Sequence, residues 1–479
     1  MTDITRRQFG KSAAVAAALS PISLPRFSFG QTPASGLPFP HGFLWGCATS
    51  AYQTEGAVRD DGRKPSVWDI FTHIPGKTYH DQTGDVADDS YHLYKQDIQL
   101  LNKLGVQTYR LSIAWARIFP DGTGQPNPKG LDYYQRVVDE LLAHNIAPYI
   151  TLFHWDLPAA LPDGWQSRKT SMAFADYAGY VARHLSDRVQ HFMTTNEFSC
   201  FTDLGYRSGR FAPGLVLPAA QANQVRHHGI LAHGLGVQAI RANATAPVQV
   251  GLAENASVYV PIIEIPEHIE AARRATREEN APFLTTLMEG KYPESYLERE
   301  GPNAPRVEPG DMDAIGSKLD FVGLNIYTPN YVRADGSPQG YAIEPRQASF
   351  PHMASDWIYI GPECTYWGVR NVCDLWHPAA IYITENGCSA DDVITPEGRI
   401  EDTDRLMYLR NHLTQLHRAT AEGYPVKGYF LWSLLDNFEW DDGYSKRFGI
   451  HYVDFQTLKR TPKLTAEWYR ELIAHNAIL

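Results

Sequence analysis

Eight short apolar runs recur along the chain after residue 39, and longer segments of mixed polarity separate them. The runs are FLWGCAT (43–49), TYRLSIAW (108–115), APYITLFHW (147–155), QHFMTTNEF (190–198), VQVGLAEN (248–255), FVGLNIYT (321–328), IYITENG (381–387) and KGYFLWSLLDN (427–437). Each run is mostly apolar and does not alternate strictly with polar residues. That pattern is typical of parallel strands that are buried on both faces.

The intervening segments have helical periodicity. The clearest are 88–105, which begins with capping Asp and Ser residues and ends at Gly105, and then 131–145 and 172–188. Eight strand–helix repeats predict one (β/α)8 TIM barrel of the α/β class, with insertions in the loops after the strands. A doubly wound sheet fits less well, because no glycine-rich phosphate-binding loop follows any run. The longest predicted insertion covers residues 329–378.

The first residues have a different character. The stretch TRRQFGKSAAVAAALS (5–20) places Arg6, Arg7, Phe9 and Lys11 ahead of a weakly apolar, alanine-rich run. It resembles a twin-arginine signal for export of folded proteins, and the run is too short for a stable membrane anchor. We therefore expect two parts: a signal peptide and linker (1–35) and a barrel domain (36–479). We also expect an association with the export machinery and a periplasmic or secreted location.

Composition narrows the functional classes. The 479 residues are 43% hydrophobic and 20% charged, so the composition allows one large core in a single barrel. Two or three average domains would also fit the length. The formal charge is −11 and no basic tract occurs, which argues against binding to nucleic acid. No sequence pattern for a metal site or a cofactor is present.

The cysteines give little support for a fold stabilised by disulfides or by zinc. The chain has five, an odd number, and no C-x-x-C pair occurs. That argues against a structural zinc site and against a disulfide scaffold. One bridge, for instance between Cys364 and Cys373, remains open on the sequence alone.

Polar residues collect at the ends of the predicted strands, where a barrel builds its active site. They are Arg110, His154, Asn196, Glu197, Asn255, Asn325, Tyr327, Glu385, Asn386 and, with an aromatic side chain, Trp432. Each alone is more often structural than functional. Together they indicate one shared pocket. The aromatic content of 12% suits a sugar-binding cleft, although a bulky core would explain it equally well.

Two of these residues form a candidate catalytic pair. Glu197 and Glu385 end the fourth and seventh strands, which face each other across the mouth of an eight-stranded barrel. A lone glutamate at a strand end is usually solvated. Two carboxyl groups flanking a pocket are what cleavage of a glycosidic bond requires, since one protonates the leaving oxygen while the other attacks or activates water.

From residue 39 to about 473 the chain resembles glycoside hydrolase family 1, the β-glucosidase family. The resemblance rests on FLWGCATSAYQTEGA, YRLSIAWARIFP, TLFHWDLP, TTNEF, LDFVGLNIYT, YITENG and GYFLWSLLDNFEWDDGYSKRFGIHYVDF, in the family's order. It implies that Glu197 is the acid/base and Glu385 the nucleophile of a retaining mechanism. Retention predicts carboxyl groups about 5–5.5 Å apart, with the charge of Glu385 raising the pKa of Glu197.

The resemblance also assigns the neighbours. Arg110 is expected to keep Glu385 ionised, Tyr327 to donate a hydrogen bond to Glu385, and Asn196 to bind the sugar 2-hydroxyl. The remaining sugar-binding set would be Gln53, His154, Trp432, Glu439 and Trp440. Glu439 argues against 6-phospho-sugars, because its charge would repel a phosphate. A glutamate at 197, where thioglucosidases have glutamine, argues against that branch.

One residue departs from the family pattern. Proline usually follows the acid/base, and this chain has Phe198. Proline fixes φ and has no N–H, so we expect the strand end to differ and the Phe198 side chain to extend into the leaving-group side of the cleft.

The resulting expectation is a retaining β-glycosidase, foremost a β-glucosidase that removes terminal non-reducing β-D-glucosyl residues. A transglycosylase on the same scaffold is an alternative, as is a non-catalytic carbohydrate-binding barrel, which would be expected to lack one of the carboxylates. The choice between glucose, galactose and fucose stays open, because these sugars differ at only one or two ring positions.

Overall fold

Eight parallel strands close into a barrel in the computed structural model, which describes residues 36–479. They are β1 (Leu44–Ala48), β2 (Thr108–Ser112), β3 (Ala147–Phe153), β4 (His191–Asn196), β5 (Gln249–Glu254), β6 (Val322–Asn325), β7 (Ile381–Asn386) and β8 (Val426–Trp432). Each strand pairs with its neighbours in chain order, and β8 pairs with β1 to close the ring. The predicted TIM barrel is confirmed.

Helices cover the outside of the barrel. The longer ones are α1 (Ser90–Leu104), α2 (Pro128–Ala143), α3 (Arg168–Leu185), α4 (Phe198–Tyr206), α5 (Ala219–Asn243), α6 (Pro266–Glu279), α7 (Glu363–Trp376), α8 (Thr403–Ala421) and α9 (Leu464–His475). Helix α1 ends as the sequence predicted, because Gly105 adopts the left-handed φ of 77° that glycine tolerates. Helix α2 starts with a side-chain cap from Asn127 and a proline in its first turn.

The barrel is filled below its mouth by aromatic side chains. Tyr149 of β3, Tyr382 of β7 and Phe430 of β8 are almost fully buried, and their ring centroids lie 5.0–6.4 Å apart. Tyr149 and Tyr382 come from the first halves of their strands, whereas the candidate carboxyl groups come from strand ends. The aromatic layer therefore forms a floor beneath the site.

Insertions build up the rim. The predicted insertion 329–378 contains two short strands, Asn330–Arg333 and Ala342–Ile343, followed by α7. Together with Tyr259–Pro261, these strands make a three-stranded sheet. Two-stranded pairs join Leu37–Pro38 to Ala477–Ile478 and His451–Asp454 to Lys459–Pro462. Short helices are Ala51–Thr54, Val67–Thr72, Trp115–Ile118, Thr286–Glu289, Glu294–Glu300 and Asp311–Ile315.

One expectation about the strands was wrong. The fourth strand ends at Asn196 and not at 198, because Glu197 turns the chain with φ 49° and Phe198 begins α4. The open question of a disulfide is also answered, since all five cysteines are free and buried. Four of them pack in the core as small apolar side chains, and Cys200 lies at the pocket described below.

The predicted export segment 1–35 lies outside the described residues. Within residues 36–479, no helix is both long and apolar enough to cross a membrane. In the same range no cluster of three or more His, Cys, Asp or Glu side chains is arranged to hold a metal ion.

Candidate active site

A cavity of about 360 Å³ opens at the carboxyl ends of the barrel strands, a size suited to a small ligand. Both candidate carboxylates line it. The other predicted residues in its wall are His154, Asn255, Asn325, Tyr327, Trp432, Glu439 and Trp440. Three more predicted residues, Gln53, Arg110 and Asn196, are fully buried behind this wall and hydrogen-bond to residues in it.

Glu385 is held by a cation and a phenol. Arg110 Nη1 lies 2.5 Å from Glu385 Oε1, and the Tyr327 hydroxyl donates to Oε2 at 2.7 Å. Both partners arrive on barrel strands or directly after one, as the sequence predicted. Burial raises the pKa of Glu385, while the Arg110 ion pair and the Tyr327 hydrogen bond act in the opposite direction.

Glu197 has only neutral hydrogen-bond donors. Asn325 Nδ2 donates to Glu197 Oε1 at 2.7 Å, and the Cys200 thiol donates to Oε2 at 3.1 Å. Burial, and next the charge of Glu385, raise the pKa of Glu197 to about 7. Because Glu385 alone of the two contacts a cation, it is the carboxyl that ionises first, and Glu197 retains its proton.

A hydrogen-bonded amide links the two halves of the site. Asn196 Oδ1 accepts from Arg110 Nη2 at 2.6 Å and from Asn325 Nδ2 at 3.0 Å. The Asn196 Nδ2 atom lies 3.2 Å from His154 Nε2. The buried Arg110 guanidinium thus fixes Glu385 directly and Asn196 beside it, so strands β2, β4 and β7 are locked in one network.

A second cluster of pocket residues gathers around Glu439 and His154. Gln53 Nε2 donates to Glu439 Oε2 at 3.1 Å and to Asn437 Oδ1 at 3.1 Å. The rings of Trp432 and Trp440 both lie nearly parallel to the His154 imidazole, at centroid distances of 5.7 and 5.9 Å. Paired amide and carboxylate groups beside indole faces can bind vicinal hydroxyls and the C–H face of a sugar ring.

Phe198 lies where the sequence did not place it. Its side chain is fully buried and stacks on Phe283 at 5.6 Å, so it does not enter the leaving-group side of the cleft. The turn at Glu197 directs the next side chain into the core between α4 and α5. The predicted position of Phe198 was therefore wrong, and a difference between this strand end and that of relatives with proline stays a prediction.

Several pocket residues were missed from the sequence. Cys200 contacts the acid/base candidate from the first turn of α4, a position that a strand assignment to residue 198 concealed. Others line the outer part of the pocket: Trp155, Leu204, Arg210, Phe211, Trp357, Asp441, Asp442 and Phe448. Most of these lie in loops, whose path is set by tertiary packing. Trp155, Asp441, Asp442 and Phe448 fall within recognised motifs, but no role was predicted for them.

A TIM barrel with two buried glutamates from β4 and β7 in one sugar-sized pocket defines the class of glycoside hydrolases. Comparison with known proteins agrees. The model of the glycosyl hydrolase family 1 domain matches residues 36–478. The chain is 42% identical over 444 residues to a 1,4-beta-D-glucan glucohydrolase of Thermotoga neapolitana, covering 92% of this chain and 99% of that one. The chain therefore belongs to glycosyl hydrolase family 1.

Two further relatives sharpen the comparison. A bifunctional beta-D-glucosidase/beta-D-fucosidase of Bifidobacterium breve is 40% identical over 463 residues, covering 92% of this chain and 99% of that protein. The solved structure of a β-glucosidase from Thermotoga maritima in complex with glucoimidazole superposes with a TM-score of 0.85 at 41% identity. That superposition covers 92% of this chain and 100% of the other chain.

Proposed function

We propose that this chain is an exported, retaining β-glucosidase that hydrolyses terminal non-reducing β-D-glucosyl residues. The observation that carries the proposal is the unequal environment of the two carboxyl groups. Glu385 has a cation and a phenol in contact, whereas Glu197 has neutral donors and a pKa raised to about 7. One group is prepared to attack and the other to donate a proton.

In the first step, a carboxylate oxygen of Glu385 attacks the anomeric carbon and the bond to the leaving oxygen breaks. Glu197 transfers its proton to that oxygen, so the aglycone leaves as a neutral alcohol. We expect Asn196, which Arg110 holds from behind the pocket wall, to hydrogen-bond the sugar 2-hydroxyl, a contact that strengthens in the transition state.

In the second step, esterification has removed the charge of Glu385, so the pKa of Glu197 falls and its carboxylate accepts a proton from water. The hydroxide attacks the anomeric carbon from the face that the aglycone left, and Glu385 is released. Two inversions retain the β configuration. The carboxyl separation of about 5–5.5 Å expected for retention remains a prediction.

The sugar-binding wall supports unphosphorylated hexoses. Glu439 is half-buried in the wall of the pocket, and its charge would repel a phosphate dianion. The relative from Bifidobacterium breve is named for both glucosidase and fucosidase activity. We therefore propose glucose as the preferred sugar, with fucose as the most informative competitor in a substrate panel.

The test is to incubate the purified protein with 4-nitrophenyl β-D-glucoside and follow the sugar by proton NMR. We expect β-glucose first, with the α-anomer appearing only by mutarotation. First-formed α-glucose would contradict retention, and transfer products with alkyl alcohols at low concentration would favour the transglycosylase alternative. Galactoside and fucoside analogues, assayed at equal concentration, rank the sugar preference.

Export is a separate part of the proposal. The support is the Arg6–Arg7 pair followed by Phe9 and Lys11 ahead of an alanine-rich run. Expressed as the full chain in a bacterium with twin-arginine export, the protein should appear in the periplasm or medium. Replacement of Arg6 and Arg7 together by lysine should retain it in the cytoplasm, and an unchanged distribution would contradict the signal.

A further inference from the structure

Glu197 holds a strained backbone conformation. Its φ of 49° lies in the left-handed region, where a residue with a side chain is disfavoured. Such a conformation persists only where the surroundings hold it, and it often occurs at active sites. The direction of the Glu197 carboxyl therefore depends on whatever fixes the backbone on both sides of it.

Consecutive residues at the end of β5 hold this turn. The backbone carbonyl of Ala253 accepts the Glu197 N–H at 2.8 Å. The Glu254 carboxyl accepts the Phe198 N–H at 3.0 Å. Asn255 Nδ2 then donates to the Ser199 hydroxyl at 3.0 Å. The segment from 197 to 199 is thus bound, residue by residue, to the segment from 253 to 255.

The Glu254 contact depends on the unusual residue at 198. Proline, which usually occupies this position in the family, has no N–H to donate. Phe198 has one, and as the first residue of α4 its N–H has no partner within the helix. A buried N–H without an acceptor destabilises the fold, and the Glu254 carboxyl supplies that acceptor.

Glu254 is otherwise hard to explain. Its carboxyl is 3% exposed at the end of a barrel strand, and among the described residues no cation forms an ion pair with it. The cation of Arg226 is paired with the nearby Asp203 at 2.7 Å and not with Glu254. A carboxyl group buried without a cation is costly, so its hydrogen bond to the turn is its evident role.

We propose that Glu254 is a positioning residue for the acid/base, holding the Glu197 carboxyl in line with the leaving oxygen through the Phe198 N–H. The inference rests on the proposed role of Glu197. Loss of this acceptor frees the start of α4 and the turn before it. Proton donation by Glu197 should suffer, while attack by Glu385, which is anchored on β7 and by Arg110, should not.

The test compares two substrates. An alkyl β-glucoside needs protonation of its leaving oxygen, whereas 2,4-dinitrophenyl β-glucoside does not. We expect Glu254→Leu to lower kcat/KM about tenfold or more for the alkyl glucoside and less than about threefold for the dinitrophenyl glucoside. Glu254→Gln keeps an acceptor oxygen at the same reach and should restore the wild-type ratio of the two values.

Asp97→Leu is the matched control. Asp97 is a buried carboxyl on α1, away from the pocket, and it pairs with Arg460 at 2.9 Å. Its loss should lower stability and leave the ratio of the two kcat/KM values unchanged. If Glu254→Leu does not accumulate, Glu254→Asp can replace it, because its carboxyl is one methylene farther from the Phe198 N–H. This variant should shift the ratio of the two kcat/KM values in the same direction.

Glu197→Ala, measured in parallel, separates the two proposals. If Glu197→Ala does not lower kcat/KM more for the alkyl glucoside than for the dinitrophenyl glucoside, the acid/base assignment itself fails. If Glu197→Ala does show that selective loss, and Glu254→Leu lowers kcat/KM equally for both substrates or for neither, the role of Glu254 is refuted. A Glu254→Gln variant with the same altered ratio as Glu254→Leu would also refute the hydrogen-bond route.

Discussion

The two carboxyl groups of the pocket differ in how they are held. Glu385 lies on a strand that is hydrogen-bonded on both sides, and its oxygens contact Arg110 and Tyr327. Glu197 lies one residue beyond its strand, in a left-handed turn, and contacts Asn325 and Cys200. The nucleophile candidate is fixed by charge and sheet, and the acid/base candidate by neutral hydrogen bonds and a turn.

This difference matches the two tasks. A nucleophile needs a constant charge and a constant position, and a cation with a sheet supplies both. An acid/base must gain and lose a proton in each cycle, so a permanent cation beside it would keep it ionised. Neutral donors can serve both forms of Glu197, which makes its environment the more adjustable of the two.

The largest effect is expected at the nucleophile. Glu385→Gln preserves shape and removes the attacking charge, so kcat/KM should fall by roughly 10⁵-fold or more for every aryl glucoside. Burst kinetics with 2,4-dinitrophenyl β-glucoside should show no glycosyl-enzyme. Turnover equal to that of the wild type would remove the basis for a hydrolase altogether.

Removal of the acid/base should have a smaller and substrate-dependent effect. Glu197→Ala should lower kcat/KM about 10²–10⁴-fold for substrates with poor leaving groups and far less for activated ones. Azide, which needs no general base, should restore turnover and give the β-glucosyl azide. An α-azide product, identified by NMR, would contradict retention.

The cation beside Glu385 should control the acidic side of the pH profile. Arg110→Met removes the opposing charge, so the pKa of Glu385 rises further and the acid limb of kcat/KM moves to higher pH. We expect about a 10²-fold loss at the optimum. Arg110→Lys retains a positive charge and should leave the acid limb closer to that of the wild type. An unshifted limb in Arg110→Met would show that burial alone sets this pKa.

The smallest effect is expected at Cys200. In the wild type, kcat/KM should fall as the pH rises through about 7, where Glu197 loses its proton. The thiol hydrogen bond lowers that pKa, so Cys200→Ala should raise it and move the alkaline limb to higher pH by roughly one unit at most. Cys200→Ser retains a donor and is the control. If the alkaline limb of Cys200→Ala moved to lower pH, the thiol would not be lowering the pKa of Glu197.

The barrel and its carboxyl pair were predictable because their signals are regular. Parallel strands buried on both faces give continuous apolar runs, and polar residues at their ends are conspicuous against that background. Helix α1 was also well bounded, since Gly105 marks its end by backbone conformation. These features depend on local chemistry that a sequence carries directly.

The remainder depends on turns and on tertiary packing. The apolar run through Phe198 looked like a continued strand, because no residue in it signals a left-handed glutamate. That error misplaced Phe198 and concealed Cys200. Glu254 ends an apolar strand run, and an acidic residue in a buried strand is a signal that the sequence does carry. The free state of the cysteines required coordinates, because sequence spacing does not report distance.

The aromatic floor formed by Tyr149, Tyr382 and Phe430 has a consequence for the order of events in one catalytic cycle. Since it closes the barrel beneath the site, substrate and products exchange through the mouth at the carboxyl ends of the strands, where the cavity opens. The aglycone must depart before water can approach, and the released monosaccharide must depart before the next chain end can enter. Accumulated product should therefore compete with substrate, and the rate of emptying sets an upper bound on throughput.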